Sequence, residues 1–256
     1  MICSLDEELW KFKDIYFEES THTYTDSLGT KYTSVTKFVH ELCPEQNWDK
    51  IAENYAIKHN MPISDVKKMW DEKKNIATSM GTQVHSYMEF LWKRKHYQPE
   101  VPIGDYELVR QNGLAAYKSL SRRFVPIRNE FIVYKPEWSL CGTIDFLCYD
   151  RGKDCIAILD WKTNVKIDRD NKFQECIGPL NGLPDCNYIH YSAQLSTYKL
   201  LIERVTDLRV GELALVHLKR DGWEYIPCQD FSVELGAYLG NRANNAQTAV
   251  GNAPKV

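Results

Sequence analysis

Three segments between residues 124 and 161, in which apolar and polar residues largely alternate, constrain the fold most strongly. Alternation with a period of two predicts β-strands, and we expect strands at 124–134, 138–149 and 154–161. The sequence Arg151-Gly-Lys-Asp154 fits a short turn between the last two strands. The middle of the chain is therefore predicted to be an antiparallel meander.

Helical periodicity dominates before this meander and returns after it. We expect an N-terminal hairpin within 14–33, helices over 34–42, 106–123 and 190–204, a helix-rich stretch over 48–95, a hairpin over 210–228 and a last helix from Ser232. This order predicts an α+β fold with a mixed central β-sheet flanked by helices.

The expected domain organisation follows from the same pattern. We expect a single domain over 1–240, with the hairpin and helical part at 1–123 and the central sheet with its helices at 124–240. The residues from 241 to 256 are rich in Asn, Ala and Gly, so we expect a flexible tail there.

Composition excludes several classes of protein. The net charge of −3 argues against a protein that grips nucleic acid by bulk charge, although a local basic groove stays possible. Apolar runs fall short of the roughly 18 residues of a membrane span, and the polar, acidic N-terminus does not resemble a secretory signal. The eight cysteines form no CxxC pair, so we interpret them as reduced thiols. We therefore expect a cytoplasmic protein with no membrane partner.

Two aspartates of the meander are predicted to face each other. If Arg151–Asp154 is the turn, Asp150 pairs with Cys155, and the same register places Asp145 opposite Asp160. Opposed carboxylates are destabilising unless a cation lies between them, and Mg²⁺ is commonly held by one or two carboxylates. Their apolar flanks argue for burial, so this pair is the sequence's best candidate metal site.

Other residues could complete such a site. Lys162 is two residues from Asp160 and shares its face of the strand, and Glu130 could add a third carboxylate from the neighbouring strand. His85 lies on one helix face with Gly81 and could bind a metal through a neutral imidazole. Taken singly, each has an ordinary alternative: a surface carboxylate, a satisfied histidine, or a chance DxK sequence.

The motifs occur in the order Gly81-Thr-Gln-Val-His85, Glu130, Gly142-Thr-Ile-Asp145, Asp160-Trp-Lys162 and Gln194-Leu-Ser-Thr-Tyr198. Together they resemble the RecB-like branch of the PD-(D/E)XK nuclease superfamily. That branch includes CRISPR adaptation nucleases, mitochondrial genome maintenance exonucleases and stand-alone phage exonucleases. The resemblance spans about residues 30 to 220 and implies a restriction-endonuclease-like core, with the helical N-terminal part over the active site.

The resemblance also implies residue roles. His85, Asp145 and Asp160, with the backbone carbonyl of Trp161, would bind one or two Mg²⁺ or Mn²⁺ ions. Lys162 would be the catalytic lysine, and Asp145, Asp160 and Glu130 would be catalytic acids, the role of Glu130 being less defined. The remaining residues with expected roles would brace the site or contact DNA: Gln194, Tyr198, Thr82, Lys166 and Arg169.

Further DNA contacts are suggested by charge and aromatic content. Candidate backbone contacts are Lys93-Arg-Lys95, Arg122-Arg123 and Lys172, and candidate base-stacking residues are Tyr87, Trp92 and Tyr188. A solvated charged face is an equally good interpretation of the basic runs.

The cysteine pattern departs from that of many members of this branch. They carry an iron–sulfur cluster on one cysteine ahead of the core and three near the C-terminus. Here only Cys228 lies beyond Cys186, so no iron–sulfur cluster is expected.

The resemblance implies a metal-dependent DNA nuclease, most simply an exonuclease on single-stranded or end-containing DNA in recombination, repair or replication. A recombination or replication protein is a possible partner. Two alternatives stay open: a nucleic-acid-binding or adaptor module of the same fold with weak catalysis, and a structure-specific endonuclease acting on DNA or RNA.

Overall fold

The computed structural model describes residues 2–18, 21, 23–93 and 104–251. Within these residues it contains seven α-helices and eight β-strands. The helices are α1 (Ile2–Leu9), α2 (Val35–His40), α3 (Trp48–His59), α4 (Ile63–Lys93), α5 (Tyr106–Leu120), α6 (Asn187–Val205) and α7 (Ser232–Gly251). The strands are β1 (Ile15–Glu18), β2 (Thr23–Asp26), β3 (Lys31–Ser34), β4 (Phe124–Lys135), β5 (Leu140–Asp150), β6 (Cys155–Lys162), β7 (Val210–Lys219) and β8 (Gly222–Pro227).

The eight strands form one mixed sheet, as the sequence predicts. Strands β4, β5 and β6 make the predicted antiparallel meander, and β7 joins β6 in parallel before β8 returns antiparallel. The predicted register of the central hairpin is correct, because Asp150 pairs with Cys155 across the turn. The fold is therefore α+β, with a mixed central sheet flanked by helices.

Strand β5 is where the sheet forks. Strand β4 pairs with β5 along its whole length, from Leu140 to Asp150. The other edge of β5 pairs with β3 at Leu140 and Cys141, and with β6 only from Phe146 onwards. Between these two pairings the edge of β5 is open, and the end of β6 continues alongside β7 as far as Lys162.

The sheet carries a hydrophobic core on each face. One core packs strand residues such as Ile158 against α2 and α6, and the other packs residues such as Leu159 against α4 and α5. Because both faces are covered, the run from Ile156 to Leu159 is buried throughout, which explains its continuous apolar character. None of the helices in the described part of the chain has the length and apolar character needed to cross a membrane.

The predicted helices are present, and their ends differ from the predicted ends by a few residues. The helix-rich stretch divides at Asn60, whose φ of 49° ends α3 in the left-handed conformation before Met61-Pro62. The last helix, α7, continues to Gly251, so the expected domain boundary at residue 240 falls inside a helix. Residues 252–256 of the expected tail lie outside the described residues.

Candidate active site

Asp145 lies at the fork of the sheet. One step beyond the Phe146–Leu159 pair, the register brings it level with Asp160 on β6. Its Oδ2 accepts a hydrogen bond of 2.9 Å from the backbone N–H of Trp161. The Asp145 carboxylate thus fixes the end of β6 at a point where β5 and β6 no longer form backbone hydrogen bonds with each other. The Asp145 side chain is only 11% exposed.

Helix α4 brings an imidazole to the same point. His85 Nδ1 lies 3.5 Å from Asp145 Oδ2, and its Nε2 lies 3.0 Å from the carbonyl oxygen of Trp161. Since a carbonyl only accepts, Nε2 donates this hydrogen bond, and Nδ1 is the ring nitrogen that faces the carboxylate. An imidazole nitrogen and a carboxylate oxygen at this separation can bind the same cation.

Glu130 reaches the site from the opposite edge of β5. The pairs on either side of it, Asn129 with Phe146 and Phe131 with Ile144, place Glu130 level with Asp145. The backbone φ of Glu130 is 47°, which is rare for a residue other than glycine. One ligand atom each of His85, Glu130 and Asp145 lie within 4.8 Å of one another. The Glu130 side chain is exposed to the cleft, but the surrounding protein partly desolvates its carboxyl group, and this effect, followed by repulsion from Asp145, raises the pKa of Glu130 to about 8.

A cleft gives access to this group from the α4 side. Its volume is about 440 Å³, and its lining includes Gly81, Thr82, His85 and Glu130. Thr82 is exposed there, and its hydroxyl donates to the carbonyl of Thr78 in the preceding turn. The site therefore lies beneath α4 but stays open to solvent.

Asp160 and Lys162 form a buried pair beside the group. Their Oδ2 and Nζ atoms lie 2.6 Å apart, and the two side chains are 4% and 16% exposed. Burial raises the pKa of Asp160 to about 6 against the lowering effect of Lys162. Burial lowers the pKa of Lys162, but the carboxylates of Asp160 and Asp145 outweigh it and raise the pKa overall, so the lysine is a cation.

The donor set fits a hard divalent cation. Three carboxylates share this end of the sheet with one imidazole and the carbonyl of Trp161, and these are oxygen and nitrogen donors of the kind that Mg²⁺ and Mn²⁺ accept. The expected ligand set was His85, Asp145, Asp160 and Trp161. The structure groups His85 and Asp145 most tightly with Glu130, and holds Asp160 against Lys162.

The two residues expected on the following helix support the site from below. Gln194 Nε2 donates to the hydroxyl of Tyr198 at 3.1 Å, and Tyr198 is 3% exposed. A Cβ added to Gly142 would lie 2.7 Å from the Tyr198 ring and 3.1 Å from Val35, which explains the glycine three residues before Asp145. The buried Tyr198 ring thus packs against β5 at Gly142, and burial raises the pKa of its hydroxyl well above the usual value.

Lys166 and Arg169 lie in the loop between β6 and α6 and are exposed. Lys166 contacts Asp168, and the Arg169 guanidinium stacks 4.6 Å from the centre of the Tyr188 ring. Both cations are available at the surface next to the last residues of β6.

Several other expected DNA contacts have different surroundings. Lys93 donates to Glu89 at 2.7 Å, which is the alternative pairing that i, i+4 spacing predicts, and Arg94 and Lys95 lie outside the described residues. Arg123 forms an ion pair with Asp150 at the opposite end of the sheet. The expected stacking residues belong to the cores or to their edges and are each less than 10% exposed: Tyr87, Trp92 and Tyr188.

Tyr191 is a further residue of the site that the sequence pattern did not single out. The Lys162 ammonium lies 4.4 Å from the centre of the Tyr191 ring, whose hydroxyl donates to Asn164 Oδ1 at 2.8 Å. Tyr191 precedes Gln194 by three residues and Tyr198 by seven, so helical spacing along α6 was the available signal.

Comparison with known proteins assigns no family to the chain. No protein-family model matches it, and no curated protein matches it. Among solved structures, the crystal structure of SSO0001 aligns with the whole of this chain and 89% of that chain, at 16% identity and a TM-score of 0.28. A likeness this weak carries no argument, so a function for this chain has to be inferred from the geometry of the carboxylates, imidazole and lysine at the fork of the sheet.

Proposed function

We propose that this chain is a Mg²⁺- or Mn²⁺-dependent deoxyribonuclease of the RecB-like PD-(D/E)XK type, acting as an exonuclease on single-stranded or end-containing DNA. One observation carries the proposal. Carboxylates from three neighbouring strands converge with an imidazole at the fork of the sheet, beside a buried lysine that is two residues from one of them. Cation ligands beside a fixed positive charge can supply what metal-dependent phosphodiester hydrolysis requires, namely an activated water and stabilisation of the negative charge on the phosphate.

The ligands would be His85, Asp145, Asp160 or Glu130, and the Trp161 carbonyl. A divalent ion held by them would supply charge stabilisation for the phosphate and activation of the attacking water. The protein's own contribution is rigidity, because the Trp161 N–H fixes Asp145 and the Trp161 carbonyl fixes His85.

Lys162 would supply a fixed positive charge. It is largely buried, its pKa is raised by the neighbouring carboxylates against burial, and it is held between Asp160 and the Tyr191 ring. A preorganised ammonium group of this kind can donate hydrogen bonds to a phosphate oxygen and offset the negative charge that develops during attack.

The DNA strand would enter along the cleft beneath α4. Thr82 lines that cleft, and the exposed cations of Lys166 and Arg169 lie on the neighbouring loop. Since the net charge is −3, these local cations and the bound divalent ion, rather than the field of the whole protein, would attract the phosphates.

The direct test replaces Lys162 by alanine and compares it with Lys199→Ala. The two lysines are a matched pair: their side chains are 16% and 17% exposed, and each lies 2.6 to 2.7 Å from an aspartate. We expect Lys162→Ala to lower the rate of degradation of end-labelled single-stranded DNA with Mn²⁺ about 10²- to 10⁴-fold. Lys199→Ala should degrade DNA at the wild-type rate.

Asp160→Ala gives a second measurement on the same substrates, with circular dichroism to verify folding of each variant. Unchanged degradation in both Lys162→Ala and Asp160→Ala would refute the proposal. Circular single-stranded DNA tests the finer statement, because an exonuclease leaves it intact while an endonuclease cuts it. DNA binding by the wild type without cleavage under either metal would favour an adaptor module instead.

A further inference from the structure

A second cluster of metal-ligating side chains lies away from the acidic site. Cys43, Cys176, Asp185 and His190 each offer one ligand atom, and all four atoms lie within 4.8 Å of one another. The cluster is largely sheltered: Cys176 and Asp185 are buried, and Cys43 and His190 are half-buried. Two thiols, an imidazole and a carboxylate form a donor set that Zn²⁺ prefers.

The four residues come from three separate parts of the chain. Cys43 follows α2, Cys176 and Asp185 lie within the segment between β6 and α6, and His190 is in the first turn of α6. Backbone hydrogen bonds hold these parts of the chain together without any contribution from the four ligand side chains. Ile177 N–H donates to the carbonyl of Leu42 at 2.8 Å, and Cys176 N–H donates to the carbonyl of Leu183 at 2.8 Å. The ligand atoms are thus brought together by a fixed backbone.

The geometry around the imidazole argues for a common centre. His190 Nε2 lies 2.6 Å from Asp185 Oδ1 and 3.0 Å from Cys43 Sγ. In a catalytic cysteine–histidine–aspartate arrangement the thiol and the carboxylate contact different ring nitrogens. Here both face the same nitrogen, which has one proton or one lone pair to offer. His190 Nε2, Asp185 Oδ1 and Cys43 Sγ therefore cluster around one point, as metal ligands do, and do not form a proton relay through the imidazole ring.

The carboxylate supplies an independent observation. Asp185 is 7% exposed, and its Oδ2 is buried without a hydrogen-bond partner among the described residues. A buried carboxylate oxygen left in this state is costly unless a cation satisfies it.

We propose that Cys43, Cys176, Asp185 and His190 form a structural Zn²⁺ site. Tetrahedral coordination at ordinary bond lengths places ligand atoms about 3.3–3.8 Å apart, so the close contacts would open by about 1 Å. The site is independent of the acidic site, whose hard oxygen donors suit a different class of cation. Four protein ligands leave no open position, which makes the role structural.

The consequence of such a site would be to fix the loop and the start of α6. His190 is followed immediately by Tyr191, whose ring contacts Lys162, and four residues later by Gln194. The zinc would thereby anchor the element that supports the lysine of the acidic site, while contributing no ligand to that site.

The test measures metal content and cobalt spectra on the full-length chain. The protein is stripped with chelator, dialysed against Zn²⁺ and assayed for bound zinc, and Co²⁺ is then substituted. We expect one zinc per chain, and for cobalt both tetrahedral visible bands and a thiolate charge-transfer band. Cys43→Ser and Cys176→Ser should weaken zinc binding at least about 100-fold, because each removes a direct ligand.

Two controls separate this site from others. Cys155→Ser removes another half-buried thiol, far from the cluster, and should keep the zinc. Asp145→Asn alters the acidic site and should also keep it. Zinc lost in Asp145→Asn, zinc retained in both Cys43→Ser and Cys176→Ser, or no bound zinc in the wild type would each overturn the proposal. If the serine variants do not fold, the cobalt spectrum of the wild type decides, because absence of the thiolate band excludes a site built on these cysteines.

Discussion

Both ends of the β5–β6 hairpin carry buried acids, but the two ends differ in whether basic side chains of the protein neutralise the charges of those acids. At the turn end, Asp150 is fully buried and accepts hydrogen bonds from Arg123 and from the backbone N–H of Gly152. Nearby, Glu212 contacts Lys153 and accepts a 2.6 Å hydrogen bond from the Tyr225 hydroxyl. These two buried carboxylates are paired with two cations, Arg123 and Lys153.

At the fork, the acids outnumber the cations that contact them. Glu130, Asp145 and Asp160 lie level with one another across three strands, and Lys162 is paired with Asp160. The pKa values follow this difference. The hydrogen bond from Arg123 lowers the pKa of Asp150, whereas desolvation raises that of Asp160 to about 6 and that of Glu130 to about 8.

The comparison separates two uses of a buried carboxylate. The turn end is a closed ion-pair network and stabilises the fold, so a ligand has nothing to add there. The fork retains negative charge that the protein itself does not neutralise, which is the electrostatic signature of a site that binds a cation. The same hairpin therefore serves as scaffold at one end and as a candidate active site at the other.

The largest expected effect on stability is at the turn end. Asp150→Asn keeps the shape of the side chain but removes its charge, leaving Arg123 with only the more distant carboxylate of Glu212, at 3.6 Å. We expect the free energy of unfolding to fall by about 2–3 kcal/mol, below the usual cost for a fully buried pair because Arg123 is 36% exposed. Urea unfolding measures this value, and a change below about 0.5 kcal/mol would remove the proposed contrast between the ends.

The opposite sign is expected at the fork. Because the pKa of Glu130 is raised to about 8 in the folded protein, its carboxyl group takes up a proton on folding at pH 7, which costs stability. Glu130→Gln removes this cost, and since the side chain is exposed we expect the free energy of unfolding in the presence of EDTA to rise by only about 0.5–1 kcal/mol. The same variant should gain less thermal stability from Mn²⁺ than the wild type, because it lacks a ligand. Glu175→Gln, at an exposed position in the loop before α6, provides the matched control and should change neither value. Destabilisation of Glu130→Gln in EDTA would contradict this argument.

Much of the acidic site could be predicted because it depends on local rules. The turn at Arg151–Asp154 sets the register of the hairpin, and the register alone brings Asp145 level with Asp160. The spacing of two residues puts Lys162 on the same face of β6 as Asp160. Strand periodicity and turn position carry this information, so no knowledge of the tertiary structure was needed.

Other features depend on contacts between distant segments and were not predictable in this way. Cys43 and His190 are 147 residues apart, so no spacing rule joins them, and the absence of CxxC pairs argued against any thiol site. For Arg123 the sequence leaves a DNA contact and a solvated face equally open, because it does not reveal that the end of α5 meets the β5–β6 turn and pairs Arg123 with Asp150. The left-handed conformation of Glu130 likewise has no signal in a residue with an ordinary side chain.

The smallest expected effect is the pH dependence of the turn end. Because the pKa of Asp150 is lower in the folded protein than its ordinary value of 3.8, its stabilising contribution is complete above that value. As the pH falls below about 4, the unfolded chain takes up a proton first, and the contribution is lost as the pH passes through the folded-state pKa. We therefore expect the difference in unfolding free energy between the wild type and Asp150→Asn to be constant from pH 5 to 7 and to shrink by less than about 1 kcal/mol on going to pH 3.5.

Acids common to both proteins cancel in this difference, so urea unfolding of the two proteins at matched pH isolates Asp150. A difference that grows as the pH falls would show that Arg123 does not stabilise the charged form of Asp150, and the distinction between the two ends of the hairpin would then rest on burial alone.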